Sequence, residues 1–406
     1  MISMTVTQVI ESWTSIIDQQ DRLTQTMAVD QSKGYVLSED IVSLVAIPHF
    51  NKSAVDGYAF TYEDGRRNYT IDAIVGAGTG WTVTVPLGHG VRIMTGAPVP
   101  DTCDTVVMQE QCSSDGTVGS EFQINGSFQQ GSHIIYVGEE CTKGTVIVPK
   151  GTRIDTGVQA VLYGLGYSEV SVYKLPRVLL LTSGREIIEP PRKLTTGKVY
   201  NSNRVMLRGL LDDLGFNDVV YHHINDDSAV LEDEIETVLR LGRTADIVIS
   251  SGGVSVGLFD TMPKIFEALG AQPIYNRINM RPGAASYGAV TKKGQLIFGL
   301  SGNPGAAYNG WHLLVAPALR YYSGVKNYKV RTIQCAWQGG PVRNHPLDRY
   351  IQGIVDFSST VPVFRGHSQA SGSALLGLAL TNGLCKIPKQ TEAFEVNQLV
   401  DVVLTK

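Results

Sequence analysis

The sequence predicts a multidomain α/β-plus-β chain, with a central doubly wound parallel α/β domain between β-rich modules, and three observations predict it. The chain has 406 residues, and at ~100 to 200 residues per domain that length holds roughly two to four domains, each with its own core. Its middle third alternates strand-like with helix-like segments. On either side the pattern changes to short β-like runs separated by Gly, Pro, Asp and Asn turns.

Taken in order, Val6 to Leu23 carries Val6, Val9, Ile10, Trp13, Ile16 and Ile17 at helical spacing, and Tyr35 to Ile47 reads as extended until Pro48 stops it. From Tyr69 to Ile147 the runs YTIDAIV, WTVTV, VVMQ, SHIIYV and TVIV suggest a small all-β module, and Asp155 to Leu165 reads as a helix. The middle third then runs LPRVLLLTSG, helix NSNRVMLRGLLDDLG, strand DVVYHHI, helix SAVLEDEIETVLRLGR, strand ADIVISSGG, helix TMPKIFEALG, strand QLIFGL and a further helix. Near-continuous apolar strands such as VLLLT and DIVIS are those buried on both faces. The expectation is therefore a parallel sheet between helix layers, with ligands at the carboxyl ends of its strands, where TSGRE, SSGG and LSGNPG fall. From Val325 onward TIQCAW, YIQGIV, VPVF and LVDVVL predict a last, small β domain.

Composition excludes several function classes. Apolar residues make up 43% and charged residues 18% of the chain, which rules out a largely disordered protein. With 34 basic against 38 acidic residues, net charge −4, no global field draws the chain to nucleic acid or an anionic membrane, so any anion site is local. Five cysteines without a C-x-x-C pair fit reduced thiols rather than a disulfide framework or structural zinc. The first residues lack a basic stretch followed by an apolar one, and no apolar run approaches the ~20 residues that span a bilayer; the expectation is a cytoplasmic protein.

The densest chemistry lies in RIMTGAPVPDTCDTVVMQE, Arg92 to Glu110, where Thr95, Gly96, Pro98, Pro100, Asp101 and Asp104 crowd a turn-rich segment ahead of an apolar strand. Gly96 permits positive φ, the prolines fix φ, and the hydroxyl and carboxylates bond backbone or ligand, so the segment reads as a rigid polar binding loop. SSGGVSVG joins a buried strand to a helix through glycines that expose backbone N–H groups to a phosphate. Taken alone, Gly252 and Gly253 read as a tight turn; LSGNPG repeats the arrangement, and adjacent strand ends converge on one crevice. VGAGTG, Val75 to Gly80, has the wrong glycine spacing for a dinucleotide fingerprint. His222 and His223, beside Asp226 and Asp227, point to opposite faces of a strand and read as a solvated strand end rather than a metal site. Asp56, Asp101, Asp104, Glu140, Glu186 and Asp260 lie in predicted loops, a context that suits Mg²⁺ beside a phosphoanhydride, with a turn-capping role competing at each and above all at Asp104.

Together with NKSAVDGYAF (Asn51 to Phe60), SGGVSVGLFD (Ser251 to Asp260) and LSGNPGAA (Leu300 to Ala307), the Arg92 to Glu110 segment resembles the molybdopterin molybdenumtransferase family. These are the MoeA-type proteins that insert molybdate into adenylated molybdopterin, and the likeness runs on to GHSQASGSALLGLALTNGLCKIP (Gly366 to Pro388). The resemblance implies a discontinuous N-terminal domain (residues 1–50 and 133–174), an inserted β-rich domain (51–132), an adenylyltransferase-like α/β molybdopterin-binding domain (175–324) and a C-terminal β-barrel-like domain (325–406). It also implies Mg²⁺, the substrates adenylyl-molybdopterin and molybdate, a homodimer, a separate molybdopterin adenylyltransferase as donor, and recipient molybdoenzymes.

Carried over by motif, Asp56 matches the aspartate of S-x-x-D-G-Y-A, Thr95 the threonine of M-T-G-A, Glu186 the glutamate of G-D-E-L and Asp260 the aspartate that closes SGGVSVG-x-x-D. The resemblance implies Mg²⁺ binding by Asp56, Glu186 and Asp260, and attack on the adenylyl phosphate. Ser251, Gly252 and Gly253 fall on the pterin-binding loop, Ser301, Asn303 and Pro304 on L-P-G-N-P, and Arg281, Pro282 and Gly283 on K-P-G-K-P, whose lysines hold the incoming oxyanion. Departures cluster there: Ala284 replaces the second lysine, Arg185 the aspartate of G-D-E-L, Asn201 the aspartate of Y-D-x-N and Gln352 an arginine, while Ile135 and Tyr136 stand where a basic pair is expected. Arginine and lysine differ in geometry, so molybdate recognition by Arg281, joined by Arg185, is a relocated site. Two function classes follow: a working insertase, or a diverged carrier that keeps the pterin pocket without catalysis.

Overall fold

Strand Val178–Ser183 is buried along its whole length, and its alternate residues feed two different cores, which is why its sequence runs apolar without a break. Val178 and Leu180 pack with Trp13, Leu207, Leu211 and Trp311 on one face, while Leu179 and Leu181 pack with Val238, Ile265 and Phe266 on the other. The computed structural model describes residues 2–78, 84–227, 229–254, 261–339, 342, 344–367 and 375–406. They form two compact units: Met1–Ser38, Gly151–Thr156 and Glu169–Lys406 make the first, and Glu39–Lys150 with Gly157–Ser168 the second.

In the first unit a six-stranded sheet runs in the order Val219–Ile224, Val178–Ser183, Ile247–Ser251, Leu296–Leu300, Tyr287–Thr291, Ala271–Tyr275. Its first four strands are parallel, as expected, but the last two are antiparallel, so the sheet is mixed rather than wholly parallel. The reason is the short connection Lys292–Gln295, which can join only antiparallel neighbours, whereas each parallel step needs a crossover helix. Helices Ser202–Asp213, Leu231–Gly242 and Met262–Ala268 supply crossovers.

Helix Val6–Ile17 opens this unit under a reciprocal cap between Thr5 and Gln8, and buries Val9, Trp13 and Ile17. It ends at Ile17, not Leu23; Asp18 closes its last turn, and the chain turns into strand Thr24–Ala28, paired with Glu169–Tyr173. Strand Ser3–Met4 pairs in parallel with Arg277–Ile278. At the other end of the chain, Asp348–Asp356, Val363–Gly366, Thr332–Trp337, Leu399–Leu404 and Gly383–Ile387 close into a five-stranded ring, because Gly383–Ile387 pairs back to Asp348–Asp356. Short strand Met280–Arg281 adds to the ring's Asp348–Asp356.

The second unit carries a six-stranded sheet in the order Thr105–Met108, Gly57–Phe60, His89–Ile93, Asn68–Val75, Glu121–Ile124, Cys112–Ser114. Gly57 is obligatory there, since a Cβ would sit 1.8 Å from the Val107 carbonyl oxygen of the neighbouring strand. Of the sequence-predicted runs, SHIIYV shrinks to the two-residue strand Ile134–Ile135, and most of WTVTV lies outside the described residues. All five cysteines are free thiols. No helix among the described residues is long and apolar enough to cross a membrane.

Candidate active site

At the carboxyl ends of the parallel strands the turn backbone is too tight for a side chain at Gly252. Gly252 has φ +95°, and a Cβ on it would lie 2.7 Å from the Ser183 carbonyl oxygen, so only glycine fits this turn. The turns after Ile247–Ser251 and Leu296–Leu300 are stitched together by one side chain. Asn203 Nδ2 donates to Ser251 Oγ at 2.8 Å and to the Gly302 carbonyl at 2.8 Å, and Ser251 Oγ donates to the Ser301 carbonyl at 3.0 Å. Gly252 N–H bonds the Leu300 carbonyl at 3.1 Å. Asn303 then caps helix Pro304–Gly310, its Oδ1 accepting from Ala306 N–H at 3.1 Å, with Pro304 at the first helical position. The two glycine-containing loops therefore meet as expected, with Ser251, Gly252, Gly253, Ser301, Asn303 and Pro304 gathered at adjacent strand ends.

Four buried polar atoms near these loops, Ser183 Oγ, Ser250 Oγ, Asn203 Oδ1 and Thr261 Oγ1, lack a hydrogen-bond partner among the described residues. Such atoms ordinarily find one, and each left unpaired costs about 1–3 kcal/mol. Asp260, expected in the following turn, lies outside the described residues, as do Ser255 to Phe259.

Glu186 follows the neighbouring strand Val178–Ser183 in the next turn, and its backbone carbonyl accepts from Val199 N–H at 2.9 Å. Arg185 N–H donates to Asp226 at 2.7 Å. Arg281 is exposed on strand Met280–Arg281, with a guanidinium nitrogen 3.2 Å from His345 Nε2, and Pro282 follows it. Gln352 commits its Nε2 to helix Pro304–Gly310, donating to the Gly305 carbonyl and to the Asn309 side-chain oxygen, both at 2.8 Å. His222 and His223 do diverge, but they are half-buried and bonded rather than solvated. His222 Nε2 is 2.7 Å from Glu234, and His223 Nδ1 is 3.0 Å from Thr182 Oγ1.

In the second unit, two segments far apart in sequence come together. Asp56 Oδ1 accepts from both the N–H and the hydroxyl of Thr95, each at 2.7 Å. Those bonds, the backbone one foremost, hold the Asp56 carboxyl below its usual pKa, so it is ionised at neutral pH. Its Oδ2 makes no hydrogen bond with the described residues. Asp104 differs: Oδ1 accepts from Tyr62 N–H at 2.7 Å and Thr105 Oγ1 at 2.9 Å, and Oδ2 from Gln130 Nε2 at 2.6 Å. Burial opposes its charge, but these bonds outweigh burial and leave its pKa lowered. Asp104 is a turn anchor. Asp101 and Glu140 are exposed, and Asp101 lines a cleft of 440 Å³ with His49, Asn51, Pro98, Pro100 and Val137 among its other walls.

Comparison with known proteins decides the family. A family model described as "MoeA N-terminal region (domain I and II)" matches residues 4–166, and one described as "Probable molybdopterin binding domain" matches residues 179–321. The chain is 36% identical over 386 residues to a molybdopterin molybdenumtransferase of Staphylococcus epidermidis, covering 93% of this chain and 90% of that one. It is 34% identical over 399 residues to one of Staphylococcus aureus, covering 96% and 94%. This chain belongs to the molybdopterin molybdenumtransferase family. It is thus a transferase with a role in molybdenum cofactor biosynthesis. The fold agrees with the crystal structure of a molybdopterin biosynthesis moeA protein from Pyrococcus horikoshii OT3, at a TM-score of 0.80, 24% identity and 99% coverage of both chains.

Within this molybdopterin molybdenumtransferase family member, sequence reasoning missed the roles of the residues that surround the two loops. Asn203 stands at the asparagine of the Y-D-x-N pattern, but its role stays hidden in the sequence because its partners lie 48 and 99 residues away. Ser183, Ser250 and Thr261 carry no comparable signal, since small hydroxyl residues at strand and helix ends are common.

Proposed function

We propose that this transferase is a molybdenum insertase, which cleaves adenylyl-molybdopterin in the presence of molybdate to give molybdopterin-bound molybdenum and AMP. The observation that carries this reading is the set of four buried polar atoms near Gly252 and Gly253, on Ser183, Ser250, Asn203 and Thr261, that have no partner among the described residues. A pterin phosphate seated at this turn would meet donors and acceptors that otherwise go unused. Ser251, Ser301, Asn303 and Pro304 hold the two loops in place, and Arg281 supplies a cation for the incoming oxyanion.

The donor chemistry suits Mg²⁺. Asp56 is ionised with one oxygen open, and Glu186 sits in the turn after a sheet strand, so each is a candidate carboxylate ligand; Asp260, matched by its motif alone, lies outside the described residues. Among the described residues no three His, Cys, Asp or Glu gather into a full cage, and Mg²⁺ is characteristically held by one or two carboxylates together with substrate phosphates. When bound, the ion neutralises charge on the phosphoanhydride being opened. Thr95 fixes the Asp56 carboxylate in its charged form. On this reading a separate molybdopterin adenylyltransferase supplies the substrate, a homodimer carries the sites, and molybdoenzymes receive the product.

One observation favours the carrier as a second reading: Gln352, at a position where the family has an arginine, is committed to Gly305 and Asn309 and brings no positive charge. A turnover assay separates the two. Purified protein given adenylyl-molybdopterin, Mg²⁺ and molybdate should release AMP and yield cofactor that restores a molybdoenzyme apoprotein; tight binding without AMP release would establish the carrier instead.

A further inference from the structure

Beside the two glycine-containing loops lies a polar cluster that the proposed function leaves unused, centred on Asn201, which is 6% exposed. Its Oδ1 caps helix Ser202–Asp213 by accepting from Arg204 N–H at 3.1 Å. Its Nδ2 lies 3.2 Å from Thr182 Oγ1, 2.9 Å from Tyr221 Oη and 3.0 Å from Glu189 Oε1. Thr182 lies near the end of the strand that leads into Glu186, Tyr221 belongs to the adjacent strand, and Glu189 sits in the loop after Glu186. That loop is closed by Val199 N–H on the Glu186 carbonyl and Asn201 N–H on the Ile188 carbonyl, at 2.9 and 3.1 Å. Arg204 adds a contact to Glu189 at 3.2 Å and lies 4.4 Å from the centroid of the Tyr221 ring.

We propose that Asn201 is a positioning residue for Glu186, and that this chain requires an amide rather than a carboxylate there. The proposal rests on the insertase reading of Glu186. A carboxylate at 201 would keep the helix cap, because the cap needs only an acceptor. The Thr182 and Tyr221 hydroxyls could turn to donate to it, but it would lose the donor to Glu189 and would set two negative charges about 3 Å apart across the loop. The amide at 201 and the carboxylate at 189 form a complementary pair, so exchanging them should preserve it.

The test is a double-mutant cycle on the full chain: Asn201→Asp, Glu189→Gln and both together. Each is followed by kcat and KM for AMP release, and by amide hydrogen exchange across residues 184–200. Asn201→Asp should lower kcat about tenfold with KM little changed and lose protection in the loop, while the double variant recovers most of both. An unchanged kcat and exchange in Asn201→Asp would overturn the proposal, as would a double variant no better than the single one while still folded. If wild-type protein releases no AMP, the insertase reading fails; the exchange data then decide the positioning role alone, with loss and recovery of protection supporting it and unaltered protection overturning it.

Discussion

The two ends of the α/β sheet contrast in how fully their polar groups are bonded. At the amino ends, Gly242 to Asp246 and Thr291 to Gln295 border a cleft of 1030 Å³. Its polar groups are largely spoken for: Gln295 Nε2 donates to the Gly242 and Ala245 carbonyls, Gln20 Nε2 to the Gly294 carbonyl, and Asp246 accepts from Arg177 N–H. Lys292 and Arg243 are exposed. At the carboxyl ends, Ser183, Ser250, Asn203 and Thr261 keep buried polar atoms without partners among the described residues. On the insertase reading, a ligand completes the bonding at that end.

The contrast breaks most easily at Gly252. Gly252→Ala forces a Cβ toward the Ser183 carbonyl on a positive-φ backbone, and should weaken adenylyl-molybdopterin binding ~100-fold or more by titration calorimetry. Lys292→Glu with Lys293→Glu, at the opposite end, should change that affinity by less than about twofold at physiological salt; a large loss there would defeat the comparison. The same logic applies to two aspartates of the second unit. Asp56→Asn should reduce the rate of AMP release by roughly 100-fold with an unchanged melting temperature, since its open oxygen is free for a ligand. Asp104→Asn should instead cost about 1–2 kcal/mol of stability, read from denaturant midpoints, and leave kcat of the folded protein intact.

His312 sharpens the contrast with the smallest effect on binding. Its Nε2 is also buried without a partner among the described residues, but it lies in the helical segment Trp311–Val315 that continues from Pro304–Gly310, packed on Tyr308. Burial, aided by Arg320 and Lys406, pushes its pKa down to about 3. The unfolded chain therefore takes up a proton near pH ~6.5 that the folded chain refuses, so stability falls as pH drops from about 6.5 toward about 3. The slope is at most about 1.4 kcal/mol per pH unit from this group. His312→Leu should flatten that slope in urea titrations at about pH 7 and about pH 4.5, while substrate affinity at neutral pH stays as it was.

How far the molecule is legible in its sequence depends on where each signal resides. Strands Val178–Ser183 and Ile247–Ser251 announce themselves because burial on both faces writes itself into every residue. Ala271–Tyr275 and Tyr287–Thr291 do not: the first contains Pro273, the second reads YGAVT without an unbroken apolar run and is only partly buried, and both sit on the antiparallel side of the sheet. The end of the first helix is obscured because Gln19, Gln20 and Asp21 offer no glycine or proline stop. The Asp56–Thr95 bond joins residues 39 apart and is approached only through matched motifs. Against the family pattern Asn201 looks like a lost carboxylate, since a one-letter comparison carries no information about the donor that Thr182, Tyr221 and Glu189 draw on.

The segment Arg277–Arg281 is gripped from both sides, by Ser3–Met4 in parallel pairing and by the barrel strand Asp348–Asp356. Ser3 Oγ also reaches Asn279 at 2.7 Å, and Ile2 N–H reaches Asn276 at 2.8 Å. Substitutions that disturb residues 2–4 would thus tug on the mounting of Arg281 from a distance, although none of them touches its guanidinium.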